Sequence, residues 1–375
     1  MRKRIISGAF ALALAASLVA CSGQTGNVDQ PETPTEAPTE KQTESQTEVQ
    51  TESQTEVQTE SQTEAQTEEQ TESQTEAPAI RAFNAKDLFD AESDEKITIT
   101  EPSYCEGEKV VVYFEEGAVV PKNLVSRVEN VMKVEEEFWN LSYDPTPFSV
   151  DTGLLTYYFE DTFDGVGYNP DKVNLIILHE EDHSDIVECA SYNELVLFDI
   201  DFDAELACPD VIYHEFGHTL RQHQSSPLGQ VLEEGIGVYT EWKISMEMNT
   251  PCWSTIQYIK DASAEEKLDM EKIKADPEGY FCELNVAPRS AGQYHYQYGV
   301  RLITFLREEY DEDIVRKLSE AAAEKTFSEQ DNDTIVAILK SVTSEDVFDR
   351  FAAWVDTGWP KYEEEIKDYL RPYGY

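Results

Sequence analysis

Two of the six histidines, His214 and His218, stand four residues apart in VIYHEFGHTLRQH, and Glu215 follows the first directly. On a helix, positions i and i+4 lie on one face, so both imidazoles can point at one metal ion. Glu215 faces a neighbouring direction. It can contact water held at such an ion without binding the ion itself. Gly217 lies between the histidines. A glycine inside a helix costs about 1 kcal/mol relative to alanine, so its presence points to close approach by another element or by a substrate.

A catalytic zinc needs a third protein ligand and an open fourth position for water. One HExxH spacing takes a glycine three and a histidine six positions after the second motif histidine. Those positions hold Arg221 and Gln224. His223, five positions on, is turned off the ligand face and reads as a surface residue or a support behind the site. A second spacing takes a glutamate from a following helix. LEEGIGVY, Leu232 to Tyr239, offers Glu233 and Glu234.

LEEGIGVY resembles the x-E-G-x-A-x-Y segment of peptidase-MA-like gluzincins, in which the glutamate before glycine is the third ligand. The resemblance implies Glu234. Fifteen residues separate His218 from Glu234, fewer than in the aminopeptidase and thermolysin branches, so no substrate preference is carried over. YQYG, Tyr296 to Gly299, resembles the Y-x-x-G segment of gluzincin aminopeptidases. That match implies that Tyr296 donates a hydrogen bond to an oxyanion. Tyr294 and Tyr298 are rivals in a chain with 19 tyrosines, and His295 is a further candidate. The likeness runs from about Ala207 to Trp354 and includes the helical segments DIVRKLSEAAAEKTF and SEDVFDRFAAWV. It implies a zinc-dependent peptidase, with Zn²⁺ on His214, His218 and Glu234 and with Glu215 taking a proton from the attacking water. The implied fold is a zincin-like N-terminal lobe with a mixed sheet and the active-site helix, then a mainly helical C-terminal lobe.

The elements that must position these residues can be read from apolar spacing. VVVYF (Val110–Phe114), LLTYYF (Leu154–Phe159), VNLIILH (Val173–His179) and ELVLFDI (Glu194–Ile200) read as strands. Glu194–Ile200 is expected at the sheet edge, where an extended substrate could pair. Leu124, Val128, Val131, Val134 and Phe138 predict a helix over Asn123–Asn140. Asp210–His223, Leu228–Met246 and most of Tyr298–Leu370 also read as helices, with Leu206–Pro209 and Asp210 supplying the start of the first. Strands first and helices later indicate an α+β class, about 80–225 sheet-rich and about 226–375 helical. His179 and His183 form a second HxxxH, in HEEDH, but they follow a strand and no glutamate-bearing helix succeeds them at a suitable distance.

The start of the chain bears on location. Arg2, Lys3 and Arg4 precede an apolar run from Ile5 to Ala20, the pattern of a secretory signal. LVAC at Leu18–Cys21 reads as a lipobox, with Cys21 lipidated and residues 1–21 the signal peptide. Residues 22–79 contain nine QTEx repeats and have almost nothing to bury, so a disordered linker is expected. Residues 80–375 form the folded domain. The expected location is the outer face of a bacterial membrane, tethered by the lipid. The chain holds 29 basic and 76 acidic residues, of which the first 79 hold 4 and 14; the remainder carries 25 against 62, a net of −37. Such a surface argues against nucleic acid as a partner, and a peptide or protein substrate is expected instead. The five cysteines beyond Cys21 (Cys105, Cys189, Cys208, Cys252 and Cys282) contain no CxxC and allow up to two disulfides. The alternative function is a non-catalytic surface binding lipoprotein with a degenerate peptidase fold. That reading predicts loss of one of the four core site residues, and all four are present.

Overall fold

The computed structural model describes residues 83–144, 151–159, 167–179, 181, 183, 189–199, 210–225, 227–250, 268–287 and 294–373. The signal segment, the QTEx linker, Leu206–Pro209, Cys21, Cys208 and Cys252 lie outside them. Among the described residues eight strands run β1 (Phe83–Asn84), β2 (Lys96–Thr98), β3 (Ser103–Glu106), β4 (Val110–Phe114), β5 (Val119–Pro121), β6 (Val173–Leu178), β7 (Cys189–Ser191) and β8 (Glu194–Phe198). Six of them build a mixed sheet in the order β1-β3-β4-β6-β8-β7, and β2 pairs with β5. At its centre β4, β6 and β8 are parallel.

Parallel strands are covered on both faces, which is why VVVYF and VNLIIL are buried along their whole length rather than alternating, with Asn174 the one strongly polar side chain and bonded to the carbonyls of Asn169 and Lys172. Val110, Val112 and Phe114 face the main core, while Val111 and Tyr113 face a smaller one. That smaller core corrects one expectation. Leu154–Phe159 is not a strand but a six-residue helix, α2, following α1 (Leu124–Trp139). Leu154, Leu155 and Phe159 pack onto the second face of the sheet. Its first turn is satisfied from β8: Glu194 accepts from the backbone N–H of Thr152 at 2.6 Å and of Leu155 at 3.1 Å. A short apolar run does not separate helix from strand by periodicity alone.

A second correction concerns the sheet edge. β8 is an inner strand, because β7 pairs antiparallel with its outer side, Cys189 opposite Val196 and Ser191 opposite Glu194. The turn between them is Tyr192-Asn193, with Tyr192 at φ 55°. β8 is therefore not the edge strand, and along Glu194–Val196 its outer side is taken by β7. The cysteine reading is also narrowed, since Cys105 and Cys282 are free thiols.

After the sheet come α3 (Asp210–Gln222) and α4 (Gln230–Met248). Then follow α5 (Met270–Ala275), α6 (Pro277–Asn285), α7 (Tyr294–Glu309), α8 (Ile314–Ala323), α9 (Asn332–Val342), α10 (Val347–Val355) and α11 (Trp359–Leu370). The class is thus α+β, a mixed sheet and then a helical region. Every residue of α4 from Val231 to Trp242 is buried, as expected for a helix packed all round. On one side it meets α3, where Thr240 Oγ1 lies 2.8 Å from where a Cβ on Gly217 would stand. The cost of that helical glycine is therefore offset by close helix packing. On another side it meets α7, and a Cβ on Gly299 would lie 2.2 Å from the carbonyl of Val231 and 2.6 Å from Cα of Gly235. Toward the C-terminus α11 docks on α4, with Trp242 edge-on to Trp359 and Tyr362.

α1 straps α3 and α4 together. Trp139 Nε1 donates to Thr240 Oγ1 at 3.0 Å. Beyond the helix end, the Tyr143 hydroxyl donates to the carbonyl of Phe216 at 2.8 Å and lies 3.0 Å from Glu135 Oε2. Burial pushes the Glu135 carboxyl well above the usual range, and the Tyr143 hydroxyl opposes that shift.

The backbone contact between α4 and α7 leaves no rotamer to relieve a methyl group. Gly299→Ala is expected to destabilise the fold by at least about 3 kcal/mol, the upper end of overpacking costs. Gly167→Ala, where nothing lies within 4 Å of the added Cβ, is the control and should be close to neutral in the same urea titration.

Candidate metal centre

α3 carries His214 and His218 one turn apart, and α4 carries Glu234. The structure brings the three together. His218 Nε2 lies 3.0 Å from His214 Nε2, and Glu234 Oε2 lies 3.2 Å from His214 Nε2 and 3.3 Å from His218 Nε2. Among the described residues this is the group of histidine, cysteine and acidic side chains whose ligand atoms converge as a metal site requires. Ligand atoms about 2.0–2.2 Å from a tetrahedral zinc stand about 3.3–3.6 Å apart, close to the separations seen. Two imidazoles and one carboxylate are also a donor set of catalytic zinc sites. The residues fit the ion.

The electrostatics agree. Glu215, Glu233, Glu234 and Glu241 are all buried, against one buried guanidinium in these two helices, that of Arg221. Their formal sum is −3 with both imidazoles neutral. Burial works against a charge on His214. Hydrogen bonds to Glu234 and Glu241 and the charge of Glu215 outweigh it and raise the His214 pKa well above its ordinary value. The pocket therefore favours positive charge. Glu215 is fully buried and is one of the carboxylates felt by His214.

Local sequence explains the geometry. Gly237 is one turn beyond Glu234, and a Cβ there would sit 2.7 Å from the His214 ring. Its absence makes room for the imidazole. Glu241, two turns beyond Glu234 on the same face, reaches Nδ1 of His214 at 3.3 Å. Such a carboxylate orients a ligating histidine and selects its tautomer. Sequence reasoning missed Glu241, although its seven-residue spacing from Glu234 was a readable signal. Glu233 is not in the converging group; it pairs with Arg221, Nε to Oε2 at 3.1 Å.

α7 supplies the aromatic side. The Tyr296 ring lies 6.1 Å from the His214 ring, and the His295 ring lies 4.2 Å from that of Tyr296. Tyr298 points elsewhere: its hydroxyl donates to the carbonyl of Pro277 at 2.8 Å, and its ring packs on Phe351. Tyr294, at the first position of α7, packs against the core. Tyr296 and Gly299 are three apart and share the helix face turned toward α4, whereas Tyr298 is rotated to the far side.

Two other histidine readings can be placed. Among the described residues, His179 and His183 are not part of a converging metal-binding group. His179 Nδ1 lies 3.0 Å from Asp199 Oδ2, and His183 Nε2 lies 2.9 Å from Glu115, so each is taken up by its own carboxylate. His223 is not at the surface. It is 1% exposed, edge-on to Tyr143, and neither ring nitrogen has a hydrogen-bond partner among the described residues.

Burial pushes the His223 pKa down from 6.5 to about 4, against the opposing charge of Asp144. The unfolded chain therefore takes up this proton first. Stability from this group is full above about pH 6.5 and falls as the pH drops toward 4, by about 3 kcal/mol in all. His223→Phe keeps an aromatic ring against Tyr143 and removes the titration. Its unfolding free energy is expected to change less than the wild type's over that window, as followed by urea titrations at each pH.

No protein family model matches the sequence, and no curated protein matches it. Among solved structures the chain is similar to the M1 zinc metallopeptidase from Deinococcus radiodurans, with a TM-score of 0.36 and 12% sequence identity over 70% of this chain and 51% of that one. The match thus spans about half the length of that protein.

Proposed function

We propose that the protein is a zinc-dependent peptidase of gluzincin type. The observation that carries this reading is the convergence of His214, His218 and Glu234, buried, with Glu215 beside them on the same helix. His214, His218 and Glu234 would hold the zinc, which when bound supplies a Lewis acid for the scissile carbonyl and lowers the pKa of water in the site. Glu215 handles the proton: its carboxylate takes one from the attacking water and delivers it to the departing amine. The Tyr296 phenol, beside His214, donates a hydrogen bond to the oxygen that gains charge. Glu241 keeps the Nδ1 side of His214 engaged, so that Nε2 faces Glu234.

The same proposal gives the enzyme a peptide or protein substrate and a location on the outer face of a bacterial membrane. Support for the location comes from the basic start, the apolar run and the LVAC segment ending at Cys21. Labelled palmitate should enter the wild type and not Cys21→Ser; equal labelling of both would remove the lipid anchor from the proposal.

Activity is tested on the purified full chain with a peptide library. Wild type should bind one zinc per chain, and Glu234→Ala should lose it. Glu215→Gln should keep the zinc and lose about 10²–10⁴-fold in turnover. Tyr296→Phe should lose about 10²–10³-fold in kcat with KM little changed. A wild type that binds zinc and cleaves nothing would favour the surface binding protein instead.

A further inference from the structure

Resting on the metal reading above, we propose that Glu233, held in place by Arg221, is the hydrogen-bond acceptor for Nδ1 of His218, and that this pair sets the metal affinity of the site.

A histidine that offers Nε2 to a metal carries its proton on Nδ1 and needs an acceptor there. For His214 the acceptor is Glu241. His218 turns Nε2 toward His214 and Glu234 in the same way. Among the described residues its Nδ1 makes no hydrogen bond, and Glu233 Oε2 stands 3.9 Å from it. A shift of about 1 Å brings the two into contact at ordinary N–H···O length. Each imidazole then has its own carboxylate behind it.

Glu233 is held by more than its helix. Arg221 grips both carboxylate oxygens, Nε to Oε2 at 3.1 Å and Nη2 to Oε1 at 2.7 Å. The other arm of the guanidinium donates to Ser225 Oγ at 2.7 Å, and the backbone N–H of Leu228 donates to Glu233 Oε1 at 2.6 Å. These bonds close the connection between α3 and α4. Arg221, Ser225 and Leu228 are fully buried. A buried ion pair is rarely more stable than well-packed apolar side chains of the same volume, so stability alone gives little reason for charge here. Position gives one. Arg221 is one turn past the ligand His218, and Glu233 directly precedes the ligand Glu234. The guanidinium also keeps the Glu233 carboxylate on the Nδ1 side of His218 and out of the group formed by His214, His218 and Glu234.

The test is zinc affinity of the full chain, measured by competition with a chromophoric chelator, beside thermal melting in a chelator. Arg221→Met with Glu233→Leu replaces the pair by apolar side chains. It should melt near the wild type and bind zinc about 10–100-fold more weakly, the usual effect of losing a partner behind a ligand. Arg221→Met with Glu233→Gln keeps an acceptor oxygen facing His218 and should bind zinc more tightly than the Met/Leu protein. If the Met/Leu protein binds zinc as tightly as the wild type, or if affinity and melting temperature fall in step across both variants, the pair only supports the fold and the inference fails. A wild type that takes up no zinc would instead overturn the metal reading, and this inference with it.

Discussion

Between α4 and α7 there is a place with no side chain. Gly235 and Gly299 meet backbone to backbone, and neither could carry a methyl group without pushing the helices apart. The remaining geometry depends on that contact. It sets the separation at which Tyr296, three residues before Gly299, comes to stand beside His214. Two residues further along α4, Gly237 leaves the space that the His214 ring fills. Two glycine-bearing segments nearly sixty residues apart in sequence, LEEGIGVY and YQYG, thus make one structural joint.

Around that joint the protein buries an unusual amount of charge. Burying an ion costs several kcal/mol unless partners replace its water. Here partners come in a chain: Glu241 to His214, His214 to His218 and Glu234, Glu233 to Arg221, and Arg221 to Ser225. The sheet contributes nothing to this chain directly. Its part is to give α1 and α3 an apolar surface, and α1 then clamps both site helices through Tyr143 and Trp139.

Much of this was legible in the sequence, and the reason is periodicity. Two histidines at i and i+4 share a helix face whatever surrounds them, and α1, α3, α4 and three of the four expected strands follow their apolar spacing to within about two residues at each end. What was not legible depended on contacts across the fold. Leu154–Phe159 has strand composition, yet it is a helix because Glu194 of β8 satisfies its first turn. β7 is three residues long and offers no pattern of its own, so β8 read as an edge. Position five falls off the ligand face, which left His223 open as a surface residue or a support behind the site; Tyr143, eighty residues upstream, covers it. The choice between Glu233 and Glu234 rested on resemblance alone, and Arg221 supplies its physical counterpart by engaging the first of the two.

α4 has no face turned to water along Val231–Trp242, and this bears on how the protein can vary. One residue inserted there would rotate everything beyond it by about 100°, separating Glu234 from Gly237 and Glu241, which must all look the same way. Substitution is nearly as constrained, since each position already has a neighbour. Length change is compatible with this geometry only outside the two helices, between Gln222 and Gln230, and there only where Ser225 and Leu228 keep their bonds to Arg221 and Glu233. The fifteen-residue interval between His218 and Glu234 spans that connection, and the site can keep one geometry while the distance between these two residues along the chain drifts.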